Sequence, residues 1–326
     1  MKIKKQKNQN NNYQIIILSF ILALPFWWSI NLLEGELENI FYWKQLSDNP
    51  EIMAADLLTT KELRDSKPTR NNQISDFQTD AKAVFSLYIP ESGEEKVMFD
   101  KNSQDILPMA SISKLMTANV VLKYYDLNKN ITVSKEAVNQ EEDFGRLQAG
   151  KTFPVSYLLY PLLMESSNDA AFALADDYEG MSVSKFVSLM NWEAENLNLN
   201  NTNFYNPSGL DPEDNKSKDK INTSTAKDIA TLTENLLDKD VIWDILTTDI
   251  YSEYGPVLEN TDKLLGVIPG IVGGKTGYTE EAGQCMVLVI KAPKSKGYLI
   301  NVILGSSDRF GEMENLVNWL RQAYNW

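Results

Sequence analysis

The sequence predicts an α+β fold: an antiparallel sheet assembled from both ends of the folded region, with a helical insert between them. Three observations carry this. Two strand-like runs, 83–89 and 96–99, flank the turn signal Pro90-Glu91-Ser92-Gly93. Apolar segments of helical character occupy the middle, from Leu115 to Leu237. After Gly270 the period shortens, and the apolar runs 284–291 and 298–304 are joined by a turn at 293–297 before a closing helix over 312–324.

Taken in order, residues 1–14 are a basic leader with Lys2, Lys4, Lys5 and Lys7 and no acid. Residues 15–33 carry no charge, close to the ~20 residues that cross a bilayer core. Lysines before the run and Glu34, Glu36 and Glu38 after it orient the N-terminus inwards. Trp27 and Trp28 suit an interface and no small-x-small cleavage site follows, so a single-pass anchor is expected, with a cleaved signal sequence as the alternative. Residues 34–80 lean acidic; short juxtamembrane helices fit 40–43 and 52–58, and the stretch from Lys61 to Asp80 reads as a solvated linker.

The folded domain is expected over 81–326. Within it, Pro108 and the small residues after it suit a helix start, and the run to Tyr125 has an apolar face. Helices over 155–165 and 169–177 flank Ser166-Ser167-Asn168, and 183–197 is amphipathic. Asn206-Pro207-Ser208-Gly209 is a turn, and Thr225 with Asp228 reads as a capping box opening a helix to Leu237. The segment from Gly273 to Thr279 reads as a turn leading into the strand at Gln284.

Composition narrows the chemistry. The 326 residues carry a net charge of −14, which argues against nucleic acid or an anionic surface as the main partner. There is no histidine, which excludes a Ser-His-Asp triad, a Cys-His dyad and histidine-based zinc sites. The single cysteine, Cys285, allows no intramolecular disulfide and sits in an apolar run, as a buried strand residue would. No cofactor or metal is implied, and hydrolytic chemistry must come from Ser, Lys, Asp, Glu, Tyr or Thr.

Ser111-Ile112-Ser113-Lys114 supplies a candidate. A residue and its third neighbour share a helix face, so the Ser111 hydroxyl stands beside the Lys114 amine at a helix N-terminus. A neutral lysine would be the base that a serine nucleophile needs. Alone, the pattern reads as well as a solvated helical turn. Ser166 and Asn168 offer a proton relay and an amide holder, or simply a helix cap. Lys275-Thr276-Gly277 follows a glycine pair, and Gly277 would let a substrate backbone approach closely.

The order Ser-x-x-Lys, Ser-x-Asn, Lys-Thr-Gly resembles the signature of the penicillin-recognising serine enzymes. Over roughly 80–326 the chain resembles the D-alanyl-D-alanine carboxypeptidases, the low-molecular-mass penicillin-binding proteins. The stretches 110–118, 163–171, 201–210 and 275–283 carry the likeness. It implies a β-lactamase/transpeptidase-like fold, with the sheet flanked by helices and a helical subdomain.

It also implies roles. Ser111 would attack the penultimate D-alanine carbonyl of a peptidoglycan stem peptide and Lys114 would take its proton, kept neutral with help from nearby Lys275. Backbone N–H groups of Ser111 and Tyr278 would form the oxyanion hole. Ser166 would pass a proton to the leaving D-alanine, and Asn168 would hold the substrate amide. Lys275 and Thr276 would bind near the terminal carboxylate, with Arg309 a candidate for the same group. β-Lactams would acylate Ser111 as inhibitors, and the catalytic domain would lie outside the cytoplasmic membrane of a bacterium.

The chain departs from the family's pattern at Ser208 and Asn222, where many relatives carry histidine. It also runs out at Trp326, where many relatives continue into a β-domain and membrane-attaching tail, so the N-terminal anchor is expected to serve instead. A DD-endopeptidase, a serine β-lactamase using Glu193 or Glu195, and an inactive wall-binding protein are the competing readings.

Overall fold

The computed structural model describes residues 67–140, 146–176, 179–212, 219–295 and 297–326, together with Lys44. The expected anchor at 15–33 and the juxtamembrane helices lie outside these residues. No helix among the described residues is long and apolar enough to cross a membrane.

In chain order the main elements are β1 (Thr69–Arg70), β2 (Ala83–Pro90), β3 (Lys96–Lys101), α1 (Lys114–Tyr124), α2 (Val155–Leu163), α3 (Asn168–Ala175) and α4 (Val183–Asn196). There follow α5 (Ala226–Asn235), α6 (Asp240–Thr247), β4 (Ile271–Thr279), β5 (Gly283–Lys291), β6 (Gly297–Ser306), α7 (Arg309–Ala323) and β7 (Tyr324–Asn325). A five-stranded sheet runs β4-β5-β6-β2-β3 with every pairing antiparallel. Strands from both ends of the domain therefore close one sheet, and the helices α1 to α6 are inserted between β3 and β4.

The sheet is covered on both faces. Cys285, Val287 and Val289 of β5 join the core shared with the helical insert, while Met286, Leu288 and Ile290 join a second core under α7. Side chains alternate between faces with period two, so a strand buried on both sides reads as one continuous apolar run. Cys285 is wholly buried in it.

Helix α1 differs from the expected amphipathic helix. Its residues from Lys114 to Val121 are all buried, because α2, α3, α4 and α5 surround it. At roughly 1.5–3 kcal/mol per buried aliphatic side chain, Leu115, Met116, Val120 and Val121 anchor it firmly. Thr225 caps α5, accepting from the Asp228 N–H at 3.0 Å, but only half of the expected capping box forms. The Asp228 carboxylate reaches instead to Asn201 N and Thr202 Oγ1.

Several elements depart from expectation. Residues 67–80, within the stretch read as a linker, pack onto the C-terminal helix. Thr69 and Arg70 pair with Asn325 and Tyr324. Phe77 meets Phe99 at 5.3 Å and Trp319 at 6.0 Å, and the Trp319 indole donates to Ser75 O at 2.8 Å. The compact unit reaches back to Lys67. With only Ile74 and Phe77 as large apolar residues, the segment shows no periodicity to mark it. Helix α7 begins at Arg309, three residues early, because Asp308 accepts from Gly311 N at 3.1 Å. Helix α6 was not anticipated: its β-branched residues hide a helix whose Ile242, Trp243, Ile245 and Leu246 are buried. Finally, the Gly-Gly-Lys-Thr-Gly stretch is the body of β4, at the edge of the sheet, and not a turn before it.

Candidate active site

Ser111 lies in a short 3₁₀ turn, Ala110–Ser113, that leads directly into α1. Ala110 adopts a left-handed φ of 48°, which costs a non-glycine residue about 1–2 kcal/mol. The turn is held from outside. Gly209, at φ 87°, packs so closely that an added Cβ would lie 2.0 Å from Ala110 O. Asn206 Oδ1 fixes that neighbour by accepting from Ser208 N at 3.1 Å and Gly209 N at 2.6 Å. Asn222 is buried and ties the same turn to the nucleophile region, donating to Ser113 Oγ at 3.0 Å and to Asn206 O at 2.8 Å.

One helical turn after Ser111, the Lys114 side chain is fully buried. Its Nζ lies 2.8 Å from Ser111 Oγ, 2.7 Å from Asn168 Oδ1 and 2.7 Å from Ser208 O. The two carbonyl oxygens can only accept. In its neutral form the amine would use its two N–H groups on them and keep its lone pair for the Ser111 hydroxyl, as a base for that hydroxyl must.

The loop between α2 and α3 brings Ser166 to the opposite wall. Ser166 has φ 63°, strained for a residue with a Cβ. It is held there because Ser167 N donates to Pro161 O at 2.9 Å and Ser167 Oγ caps α3 on Ala170 N at 3.1 Å. Lys275 Nζ on β4 donates to Ser166 Oγ at 2.8 Å and to Thr276 O at 2.8 Å. With its oxygen accepting from Lys275, the Ser166 O–H is left to donate towards the cleft. Burial first, and then repulsion from Arg309, bring the Lys275 pKa down to about 7. Burial also lowers Arg309 and raises Asp262.

These walls enclose a cleft of about 500 Å³ lined by Ser111, Ser166, Thr276, Gly277, Tyr278 and Arg309 among others. Lys114, Asn168 and Lys275 stand behind it, each almost fully buried, so hydroxyls face the cleft and amines back them. The structure therefore brings all nine expected residues to one place. Asn168, expected to hold a substrate amide, engages Lys114 through its Oδ1. Arg309 is half-buried, and its Nη1 donates to Gly277 O at 2.8 Å, so it is not a free surface residue. Gly277 closes on protein before any substrate: an added Cβ would sit 3.0 Å from Ser111 N.

Sequence reasoning missed four contributors. Ser208 serves through its carbonyl, for which no side-chain motif exists. Thr261 Oγ1 shares a 2.8 Å hydrogen bond with Thr276 Oγ1. Asp262 is 3% exposed and packs its Oδ2 against Gly274. Glu165, just before Ser166, accepts from Arg146 at 3.3 Å and from Glu259 N at 3.2 Å, tying the Ser166 loop to a hairpin. Only the turn signal at Asn206–Gly209 pointed to any of them.

Fold and site together define a class: α+β, transpeptidase-like proteins with a serine–lysine pair at the head of a buried helix. The chain belongs to the D-alanyl-D-alanine carboxypeptidase family, whose sequence profile matches residues 72–308. It is 33% identical over 236 residues to a Bacillus subtilis D-alanyl-D-alanine carboxypeptidase, covering 68% of this chain and 57% of that relative's length. It is 29% identical over 245 residues to a Pseudomonas aeruginosa D-alanyl-D-alanine endopeptidase, covering 72% of this chain and 76% of that one. A penicillin-binding protein of Listeria monocytogenes, solved in its cefotaxime-bound form, superposes with a TM-score of 0.62 at 28% identity, over 76% of this chain and 99% of that chain.

Proposed function

We propose that the protein is a D-alanyl-D-alanine carboxypeptidase acting on peptidoglycan stem peptides through a Ser111 acyl-enzyme. The observation that carries this is the 2.8 Å contact between Ser111 Oγ and the Nζ of a fully buried Lys114, which also lies 2.7 Å from Asn168 Oδ1 and 2.7 Å from Ser208 O. Lys114 removes the Ser111 proton as Oγ attacks the carbonyl carbon of the penultimate D-alanine. The Ser111 and Tyr278 backbone N–H groups take the developing oxyanion, at about 3–4 kcal/mol per donor lost. The C–N bond breaks, and Ser166, supported by Lys275, protonates the leaving D-alanine amine. Thr276 and Arg309 hold the terminal carboxylate, and Asn168 orients Lys114 and the substrate amide. Water then cleaves the ester.

A DD-endopeptidase is the second reading, favoured by the activity named for the Pseudomonas aeruginosa relative. A β-lactamase reading is weakened, because neither Glu193 nor Glu195 lines the cleft. Glu193 accepts from Lys123 and Tyr124, about 13 Å along α1 from Lys114 at 1.5 Å per residue. The basic leader and the uncharged run at 15–33 support a single-pass anchor, with the catalytic domain on the outer side of a bacterial membrane.

The test is intact mass of the full-length chain after incubation with benzylpenicillin, beside Ser111→Ala, followed by an assay of D-alanine release. A stable adduct on the wild type alone, with D-alanine released, is expected. Rapid drug hydrolysis without an adduct would favour a lactamase, and no reaction at all would leave a binding protein.

A further inference from the structure

We propose that Lys263 and Arg309, both held within about 6 Å of the Phe310 ring centre, form an anion subsite on the leaving-group side of the cleft, one that selects leaving residues bearing a second carboxylate. This rests on the peptidase reading above. All three residues line the same cavity as Ser111. Arg309 Cζ lies 4.9 Å and Lys263 Nζ 5.8 Å from the centre of the one phenyl ring. Cations settle over aromatic faces, so Phe310 fixes where both charges stand.

Lys263 is surplus to a leaving alanine, whose single carboxylate is served by Thr276 and Arg309. Lys263 is exposed and makes no ion pair among the described residues. The nearby acids each hydrogen-bond to the protein through one oxygen, the other being buried. Asp262 is buried, with Oδ1 on Leu264 N and Oδ2 against Gly274. Glu165, across the cleft, holds Arg146 and Glu259 N. In a chain of net charge −14, a lysine that faces the cleft beside Arg309 and makes no ion pair among the described residues calls for an anionic ligand. An acidic leaving residue meets that call, its amine taking the proton that alanine's amine takes.

The test compares the full-length chain on three peptides that differ only in the leaving residue: D-alanine, D-glutamate or its neutral isostere D-glutamine. The readout is the ratio of kcat/KM for D-glutamate over D-glutamine. A wild-type ratio of about five is expected from one partly exposed charge pair. It should fall to about one in Lys263→Met and below one in Lys263→Glu. The wild-type ratio should also shrink between low and high salt, which needs no variant to fold. A wild-type ratio of one, or a ratio untouched by both variants and by salt, overturns the subsite while leaving D-alanine release intact. Absence of D-alanine release and of a penicillin adduct overturns the peptidase reading itself and the subsite with it.

Discussion

The Cα of Gly277 stands so close to the nucleophile that a Cβ built on it would lie 3.0 Å from Ser111 N and 3.2 Å from the Cβ of Ala110. Edge strand and nucleophile turn are thus seated directly on each other. Gly277→Ala must push them apart by a few tenths of an ångström, at a site where about 1 Å of misplacement costs ~10²-fold in rate. Acylation by benzylpenicillin, followed by stopped-flow or quenched mass spectrometry, should slow by about 10- to 100-fold. Thermal unfolding should move by only a few degrees.

Lys114→Met removes the base and strands two acceptors, Asn168 Oδ1 and Ser208 O. Adduct formation should fall by at least ~10³-fold, as for loss of an activating base. Each orphaned buried acceptor costs about 1–3 kcal/mol, so the melting temperature should fall as well. Retained acylation in this variant would remove Lys114 from the mechanism.

Lys275 is held near pKa 7, chiefly by burial and secondarily by Arg309, with Asp262 acting in the opposite sense. If the cationic form supports Ser166 and the substrate carboxylate, kcat/KM for D-alanine release should decline as pH rises through about 7. The sign of each perturbation follows. Arg309→Gln removes a like charge and should move that limb to higher pH. Asp262→Asn removes an opposite charge and should move it lower. A limb that stays in place in both variants would show that another group titrates.

Phe77→Ala tests whether residues 67–80 belong to the fold. Half-buried against Phe99 and Trp319, the ring should be worth about 2 kcal/mol, or roughly 4–8 °C in melting temperature for a domain of this size. The penicillin adduct should form at the wild-type rate, since none of these rings lines the cleft.

How much was legible beforehand differs by kind of residue. Side chains in short motifs, Ser111 with Lys114 and Ser166 with Asn168, were legible because their chemistry and spacing lie along one helix or loop. Four of the sheet's five strands were legible from their apolar runs; β4 was not, because its run of glycines carries no apolar pattern. Ser208 was not, because it works through a carbonyl that every residue possesses. Asp262 and Thr261 were not, because their importance comes from packing against Gly274 and Thr276, which no local pattern encodes. Helix α6 was hidden by β-branched residues whose weak helix propensity is overridden by burial.

The middle of the sheet pairs Ala83 with Leu304 and Pro90 with Gly297. On a ribosome this sets an order of events. Ser111 and Lys114 emerge long before Lys275 and the strands that carry it, and at about 5–20 residues per second the stretch between Lys114 and Lys275 takes roughly 10–30 s. Through that interval β2 and β3 are a lone hairpin, marginal by itself in water. The growing chain therefore holds its nucleophile idle until β4, β5 and β6 have emerged, and competence arrives all at once, when they close the sheet on β2.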